Sequence, residues 1–267
     1  MEQPKNNLKI VSEKKNARML LPNMLTLIGV CIGLTSIRFA LDGKFEFAII
    51  AIIFAALIDG LDGRIARLIK GTSKVGKELD SLTDMISFGV APAFIMYFWK
   101  LNTLGRFGWL ICLVYVICVA LRLARFNVNS NQDPSWRDNF FEGVPSPAGG
   151  ILVLTPLIIS ISGFDYIQLN YEIITSIFFI ATSFLLISKF PSYSFKKIVI
   201  QRKATIFLLF GIVLFFGLLL IYTFEVIAIS SMIYLSLLPI SFFHYQNIKK
   251  NNENDKIQDD EDFEDEL

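Results

Sequence analysis

Long apolar runs separated by short polar segments dominate the chain. A helix needs about 20 mostly apolar residues to cross the hydrocarbon core of a bilayer, so this pattern predicts membrane-spanning helices. The predicted spans lie near residues 20–41, 45–63, 79–99, 106–126, 148–164, 170–188, 205–223 and 225–246. The expected fold is therefore an all-α integral membrane protein, a bundle of about eight transmembrane helices.

Basic residues are concentrated in alternate connections between these spans. Lysines and arginines crowd the segment before the first span and the segment between the second and third, whereas the first connection carries only Arg38 and Lys44. By the positive-inside rule, this alternation places both termini on the cytoplasmic side of the cell membrane. We predict a cytoplasmic juxtamembrane segment at 1–19, a transmembrane catalytic domain at 20–246 and a disordered acidic tail at 247–267.

Composition narrows the kind of metal site that the chain can build. Hydrophobic residues make up 54% of the sequence, above the roughly 45–50% usual for soluble domains. Cys31, Cys112 and Cys118 lie inside apolar runs, and His244 is the single histidine. This excludes a zinc site built from histidine and cysteine, so any metal must be held by oxygen. The formal net charge is +1, and we expect no nucleic-acid partner.

Four aspartates lie where the second and third spans meet. Asp59 and Asp62 are three residues apart, and Asp80 and Asp84 are four apart, so each pair shares one helix face. A charge at the centre of a membrane helix costs about 2.5–3.5 kcal/mol, and four anions also repel one another. An all-oxygen cluster suits Mg²⁺ or Mn²⁺ and can bridge two ions. The alternative is a cytoplasmic loop whose acids pair with the basic residues of the same segment.

The spacing of this segment resembles a known family signature. It reads D-x2-D-G-x2-A-R-x8-G-x3-D-x3-D from Asp59 to Asp84 and resembles the CDP-alcohol phosphatidyltransferases, with no departure at a fixed position. The resemblance implies a CDP-linked lipid whose diphosphate sits on the metal ions. It implies that Asp59, Asp62 and Asp80 are metal ligands, and that Asp84 is both a ligand and the catalytic base for the acceptor alcohol.

The same resemblance implies further substrate contacts and an assembly. Gly63 would let the cytidine moiety approach the backbone, while Arg67 and Ser73 would contact the nucleotide and its phosphates. The predicted nucleotide contacts at the start of the first span are Pro22, Asn23, Met24 and Leu25. Members of the family often pair, which gives a homodimer as the expectation. The expected reaction is a single displacement with CMP leaving.

Two later stretches bear on the acceptor alcohol. "ALRLARFN" (120–127) and "FFEGVPSPAGG" (140–150), taken with the aspartate segment, resemble the membrane-embedded phosphatidylserine synthases of this family. That implies CDP-diacylglycerol and L-serine as substrates. Arg122 or Arg125 can bind the serine carboxylate bidentately, with Asn127 and Ser146 as hydrogen-bond partners.

Other interpretations stay open on the sequence alone. Both arginines also fit the positive-inside pattern, and they could instead serve glycerol 3-phosphate or an inositol phosphate as acceptor. A divalent-cation transporter is the alternative from another class, because intramembrane carboxylates also line ion pathways. The acids gather at one cytoplasmic level and the later spans are almost free of charge, which favours the enzyme.

Overall fold

The computed structural model describes residues 7–69, 71, 73–129, 140–163, 170–188, 191–193, 202–242 and 246. Side chains are described only from residue 20 onward within the first helix. The predicted acidic tail at 247–267 lies outside the described residues, as do residues 1–6 of the predicted juxtamembrane segment.

Helices account for nearly all of the described chain. They are α1 (Asn7–Leu41), α2 (Phe45–Leu68), α3 (Lys74–Asp84), α4 (Ala91–Trp99), α5 (Arg106–Asn129), α6 (Ser146–Ile161), α7 (Tyr171–Ile187), α8 (Arg202–Ile221) and α9 (Thr223–Phe242). A π-helical segment, Met85–Val90, joins α3 to α4, and a 3-10 turn, Leu101–Leu104, precedes α5. Two short strands, β1 (Phe140–Glu142) and β2 (Pro191–Tyr193), pair antiparallel with Phe141 opposite Ser192.

Each predicted span coincides with a helical stretch of the structure. Four stretches are long and apolar enough to cross a membrane, namely Leu20–Leu41, Lys74–Trp99, Arg106–Val128 and Thr223–Phe242. Three other apolar helical stretches, α6, α7 and the Ile206–Ile221 part of α8, are shorter. The prediction of an all-helical membrane protein is confirmed apart from the short strand pair, whereas the count of eight spans stays a prediction.

The described elements fall into two compact units. Helices α1 to α7 form the first, and β1, β2, α8 and α9 belong to the second. Every candidate site residue predicted from the sequence lies in the first unit, so the packing of that unit positions the site.

Two glycines let α1 pack directly on the chain that carries Asp84. A methyl group on Gly29 would lie 3.2 Å from Thr83 Cγ2, and one on Gly33 would lie 3.1 Å from Ser87 Cα. The glycines are four residues apart, the spacing that brings helix backbones close together in membranes. Ser87 Oγ also donates a hydrogen bond to the Gly29 carbonyl over 3.3 Å. Helix α1 therefore packs against residues that precede and follow Asp84 in the chain, Thr83 and Ser87.

The π-helical segment after Asp84 is held by α5 and α6 as well. The fully buried Tyr115 of α5 donates its hydroxyl to the Phe88 carbonyl over 2.7 Å. A methyl group on Gly150 of α6 would lie 3.3 Å from Phe88 Cα. Single π-helical turns recur at functional sites, and three helices fix this one directly behind the last aspartate.

Candidate metal and substrate site

Helices α2 and α3 bring the four predicted aspartates together. Asp59 and Asp62 lie in the last turns of α2, and Asp80 and Asp84 lie on α3. Asp59, Asp62 and Asp80 each offer a carboxylate oxygen, and these three atoms lie within 4.8 Å of one another. Asp84 joins the group through its carboxyl group, which is in hydrogen-bonding range of Asp59. The helix faces thus converge as the three- and four-residue spacings predict.

The electrostatics of this cluster call for a cation. Two carboxylates about 4.8 Å apart repel by about 3–4 kcal/mol at an effective dielectric constant of about 20. Asp62 is only 3% exposed, and the Oδ1 atoms of Asp62 and Asp84 are buried without a hydrogen-bond donor among the described residues. A buried polar atom left without a partner is costly. An oxygen-only donor set that is short of positive charge fits Mg²⁺ or Mn²⁺.

A compact turn between α2 and α3 keeps the two aspartate pairs close. The Gly71 amide donates to the Ala66 carbonyl over 2.9 Å as α2 ends. Ser73 then caps α3, because its Oγ accepts a hydrogen bond from the Gly76 amide over 2.9 Å. A serine that accepts through a lone pair still has its own hydroxyl proton to donate. Ser73 can therefore cap the helix and contact a phosphate at the same time.

The N-terminal end of α3 also meets α1 at one of the predicted nucleotide contacts. A methyl group on Gly76 would lie 2.9 Å from Asn23 Oδ1 and 3.1 Å from Ser73 Oγ. The absence of a side chain at Gly76 allows this close approach. The structure thus brings Asn23 and Ser73 together at a helix N-terminus, where exposed amides and the helix dipole favour phosphate.

The other predicted nucleotide contacts differ in exposure. Arg67 is exposed near the end of α2, and a methyl group on Gly63 would meet no atom within 4 Å. Met24 is exposed, Leu25 is half-buried and Pro22 is buried. The open space beside Gly63 permits the close approach of a ligand, and the contact roles of these residues stay predictions.

Two of the four predicted serine contacts pair with each other, and one of them is close to Asp84. Arg122 Nη1 donates to Ser146 Oγ over 2.6 Å, and Ser146 is buried. Arg122 is also near enough for its guanidinium to attract the Asp84 carboxyl group. A cation, a hydroxyl and a carboxylate thus occupy one region where α5, α6 and α3 approach one another.

The other two predicted serine contacts hold helices together. Arg125 Nη1 donates to the Ile187 carbonyl over 2.7 Å at the end of α7, an interaction that stabilises a helix C-terminus. Asn127 Nδ2 donates to Ser81 Oγ over 3.0 Å, which links α5 to α3 one residue from Asp80. These contacts favour packing roles, and serine binding by either residue stays a prediction.

The sequence analysis missed Thr26, which contacts the aspartate cluster directly. Thr26 is buried on α1, and its Oγ1 lies 2.7 Å from Asp62 Oδ2. The residue immediately follows the predicted nucleotide-binding stretch that ends at Leu25. Its pairing with an acid 36 residues away left no periodic signal in the chain.

Comparison with known proteins shows which family model and which relatives the chain matches. The family model described as CDP-alcohol phosphatidyltransferase matches residues 19–238, a range that includes every candidate site residue. A relative from Mycobacterium leprae named "CDP-diacylglycerol--serine O-phosphatidyltransferase" is 42% identical over 179 residues, which are 64% of this chain and 57% of the relative. The chain therefore spans little more than half the length of that relative.

Two shorter relatives with the same name are covered more fully. The protein from Helicobacter pylori is 35% identical over 201 residues, or 75% of this chain and 83% of the relative. The protein from Bacillus subtilis is 33% identical over 177 residues, or 66% of this chain and 92% of the relative.

Proposed function

Because this chain belongs to the CDP-alcohol phosphatidyltransferase family, we propose that it transfers the phosphatidyl group from CDP-diacylglycerol to the hydroxyl of L-serine. The products are phosphatidylserine and CMP. The observation that carries the proposal is the convergence of Asp59, Asp62 and Asp80 beside Asp84, near the half-buried Arg122 and its partner, the buried Ser146. Relatives named for this reaction support serine as the acceptor.

The aspartate cluster would bind the diphosphate end of the lipid substrate through divalent cations, since carboxylates and phosphates repel each other directly. Asp59, Asp62 and Asp80 would hold Mg²⁺ or Mn²⁺ with Asp84 as a further ligand, and two ions are the expected number. When bound, the cations supply positive charge that stabilises the phosphoryl group during displacement. Asn23 and Ser73 meet the phosphates and the nucleotide at the N-terminal end of α3, with Arg67 and Gly63 completing the contacts.

Asp84 accepts the proton of the serine hydroxyl during attack. An alcohol is a poor nucleophile until a positioned base takes its proton. The serine oxygen forms a new bond to the phosphorus that carries the diacylglycerol, and the bond from that phosphorus to the CMP oxygen breaks. CMP leaves with the electron pair of that bond. The fixed π-helical turn behind Asp84 keeps its carboxylate in the position that this step needs.

Arg122 is the residue best placed to bind the serine carboxylate. Its guanidinium donates to Ser146 and lies within electrostatic range of Asp84, so a carboxylate bound there would direct the serine hydroxyl toward the base. Arginine binds carboxylates through two parallel hydrogen bonds, which fixes orientation as well as affinity. The same arrangement predicts a preference for an acceptor that carries a carboxylate.

The membrane orientation follows from the charge pattern. We infer that the chain crosses the cell membrane eight times. The active site and both termini would lie on the cytoplasmic side, and the acyl chains of the substrate would enter the site from the bilayer. Pairing into homodimers belongs to the same proposal and rests on the family alone.

The proposed function is tested by an acceptor assay on the purified protein. With CDP-diacylglycerol and Mn²⁺ or Mg²⁺ in mixed micelles, we expect CMP release that depends on L-serine. Ethanolamine carries the ammonium and hydroxyl groups without the carboxylate, and should be a much poorer acceptor. Equal CMP release with glycerol 3-phosphate would reject the serine assignment, and Mn²⁺ flux into proteoliposomes without CMP release would favour a transporter.

Replacing Arg122 with lysine should raise the KM for L-serine by about 10- to 100-fold. Lysine keeps the charge but loses the planar fork, and a hydrogen bond to a charged group is worth about 1.5–3 kcal/mol. The KM for CDP-diacylglycerol should stay unchanged, as should both KM values in the control Arg106→Lys at the opposite, exposed end of α5. An unchanged KM for serine in Arg122→Lys would remove Arg122 from the acceptor site.

A further inference from the structure

We propose that Thr26 of α1 is a positioning residue that orients the Asp62 carboxylate for metal binding. This inference rests on the metal site of the proposed function but not on the identity of the acceptor alcohol. Thr26 belongs to a different helix from all four aspartates, so its contact with Asp62 is a feature of the folded unit.

The Thr26 hydroxyl has two acceptors within reach. Thr26 Oγ1 lies 2.7 Å from Asp62 Oδ2 and 3.0 Å from the carbonyl of Pro22, four residues earlier on α1. A hydroxyl has one proton, and O–H donors make their shorter and stronger bonds to carboxylates. The carbonyl four residues earlier is the usual neighbour of a threonine hydroxyl in a helix and restricts its rotamer. The contact with the Pro22 carbonyl therefore orients the Thr26 side chain so that its hydroxyl can donate to Asp62.

Because of this bond, the two carboxylate oxygens of Asp62 have different surroundings. Oδ2 accepts from Thr26, whereas Oδ1 is buried and has no hydrogen-bond donor among the described residues. Asp62 also contributes an oxygen to the group that includes Asp59 and Asp80. A carboxylate anchored through one oxygen presents the other in a fixed direction, which is how outer partners orient metal ligands.

Helix α1 also packs against the helix that carries the other aspartate pair. Thr83 Oγ1 donates to the Leu79 carbonyl over 2.9 Å and also lies 3.5 Å from the Thr26 carbonyl, and Gly29 lies directly against Thr83 one turn further along α1. Helix α1 therefore holds Asp62 of α2 in register with Asp80 and Asp84 of α3. The cluster would be set by three helices, although only two of them supply carboxylates.

The test measures Mn²⁺ binding by the full-length protein without either substrate, from the electron paramagnetic resonance signal of free Mn²⁺. Thr26→Val keeps the shape and removes the donor, and we expect it to weaken Mn²⁺ affinity by about 10- to 100-fold, the usual effect of losing an outer partner. Thr26→Ser restores the hydroxyl and should return the affinity to within about threefold of the original protein, since the rescued donor is the same group.

Thr35→Val is the matched control on the same helix. The Thr35 hydroxyl donates to the Cys31 carbonyl over 2.6 Å, so its loss removes a comparable helix contact away from the aspartates and should leave Mn²⁺ affinity unchanged. Wild-type affinity in Thr26→Val, or an equal loss in Thr26→Ser and Thr26→Val, would overturn the proposal. If Thr26→Val does not fold, Thr26→Ala and Thr26→Ser give the same comparison.

The two proposals fail in distinguishable ways. The Mn²⁺ measurement needs neither CDP-diacylglycerol nor serine, so a different acceptor alcohol leaves its outcome intact. Conversely, serine-dependent CMP release together with normal Mn²⁺ binding by Thr26→Val would keep the function and remove the positioning role.

Discussion

Replacing Asp84 with asparagine should lower the turnover number for CMP release by about 10²- to 10⁴-fold, the usual contribution of a positioned base. Asparagine has nearly the same shape but cannot accept the proton of the serine hydroxyl. The Asp84 carboxyl group lies within hydrogen-bonding range of Asp59 and near Arg122, so it lies between a proposed metal ligand and the arginine proposed to bind serine. The measurement is the initial rate of CMP release at saturating substrates.

Binding data separate the two roles assigned to Asp84. The group of three carboxylates within 4.8 Å of one another does not include Asp84, so Asp84→Asn should weaken Mn²⁺ binding less than a substitution within that group. The unfolding temperature without metal should stay unchanged, because asparagine keeps the size of the side chain and can still donate a hydrogen bond to Asp59. Turnover close to that of the original protein would refute the assignment of Asp84 as the base.

Replacing Asp80 with asparagine should weaken Mn²⁺ binding by more than about 100-fold, since losing only an outer partner of a ligand already costs about 10- to 100-fold. Asp80 comes from α3 and completes a group whose other two members come from α2. Its loss leaves Asp59 and Asp62 together on α2, with only Asp84 of α3 opposite them. The affinity is measured on the purified protein by titration with Mn²⁺.

Asp42→Asn is the matched control for both aspartate substitutions. Asp42 follows α1 and pairs with the exposed Arg38 over 3.2 Å, and such surface pairs contribute little to stability. Mn²⁺ affinity and CMP release should both be unchanged in this variant. An Asp80→Asn variant that binds Mn²⁺ as tightly as Asp42→Asn would show that Asp80 is not a ligand.

Helix-level features of the fold were accessible from the sequence because they depend on local composition. Apolar runs predicted a helical stretch for each proposed span, and the three- and four-residue spacings predicted the shared faces of the aspartate pairs. The third span was predicted from residue 79, whereas α3 begins at Lys74. The polar residues before Asp80 do not look like a span, and it is the Ser73 cap that starts the helix there.

The sequence predicted the part of the site whose residues lie close together in the chain, but not the contacts between distant helices. The family resemblance inferred from the Asp59–Asp84 segment is confirmed by the family model. The contact between Thr26 and Asp62 depends on how α1 packs, and nothing in the apolar pattern encodes it. Arg125 was predicted as an alternative to Arg122, and Asn127 as a hydrogen-bond partner of the acceptor. Their contacts with Ile187 and Ser81 depend on the packing of α5 and were not visible in the sequence.

The π-helical turn at Met85–Val90 also has a consequence for protein design. Such a turn holds one more residue than an α-helical turn, and one residue rotates everything after it by about 100°. Excising a single residue from this stretch would realign α4 relative to α3, turning either the acidic face or the buried row that includes Ile95 away from its neighbours. A designed protein that copies Asp80 and Asp84 onto a regular α-helix would therefore need to include the additional residue of the π-helical turn.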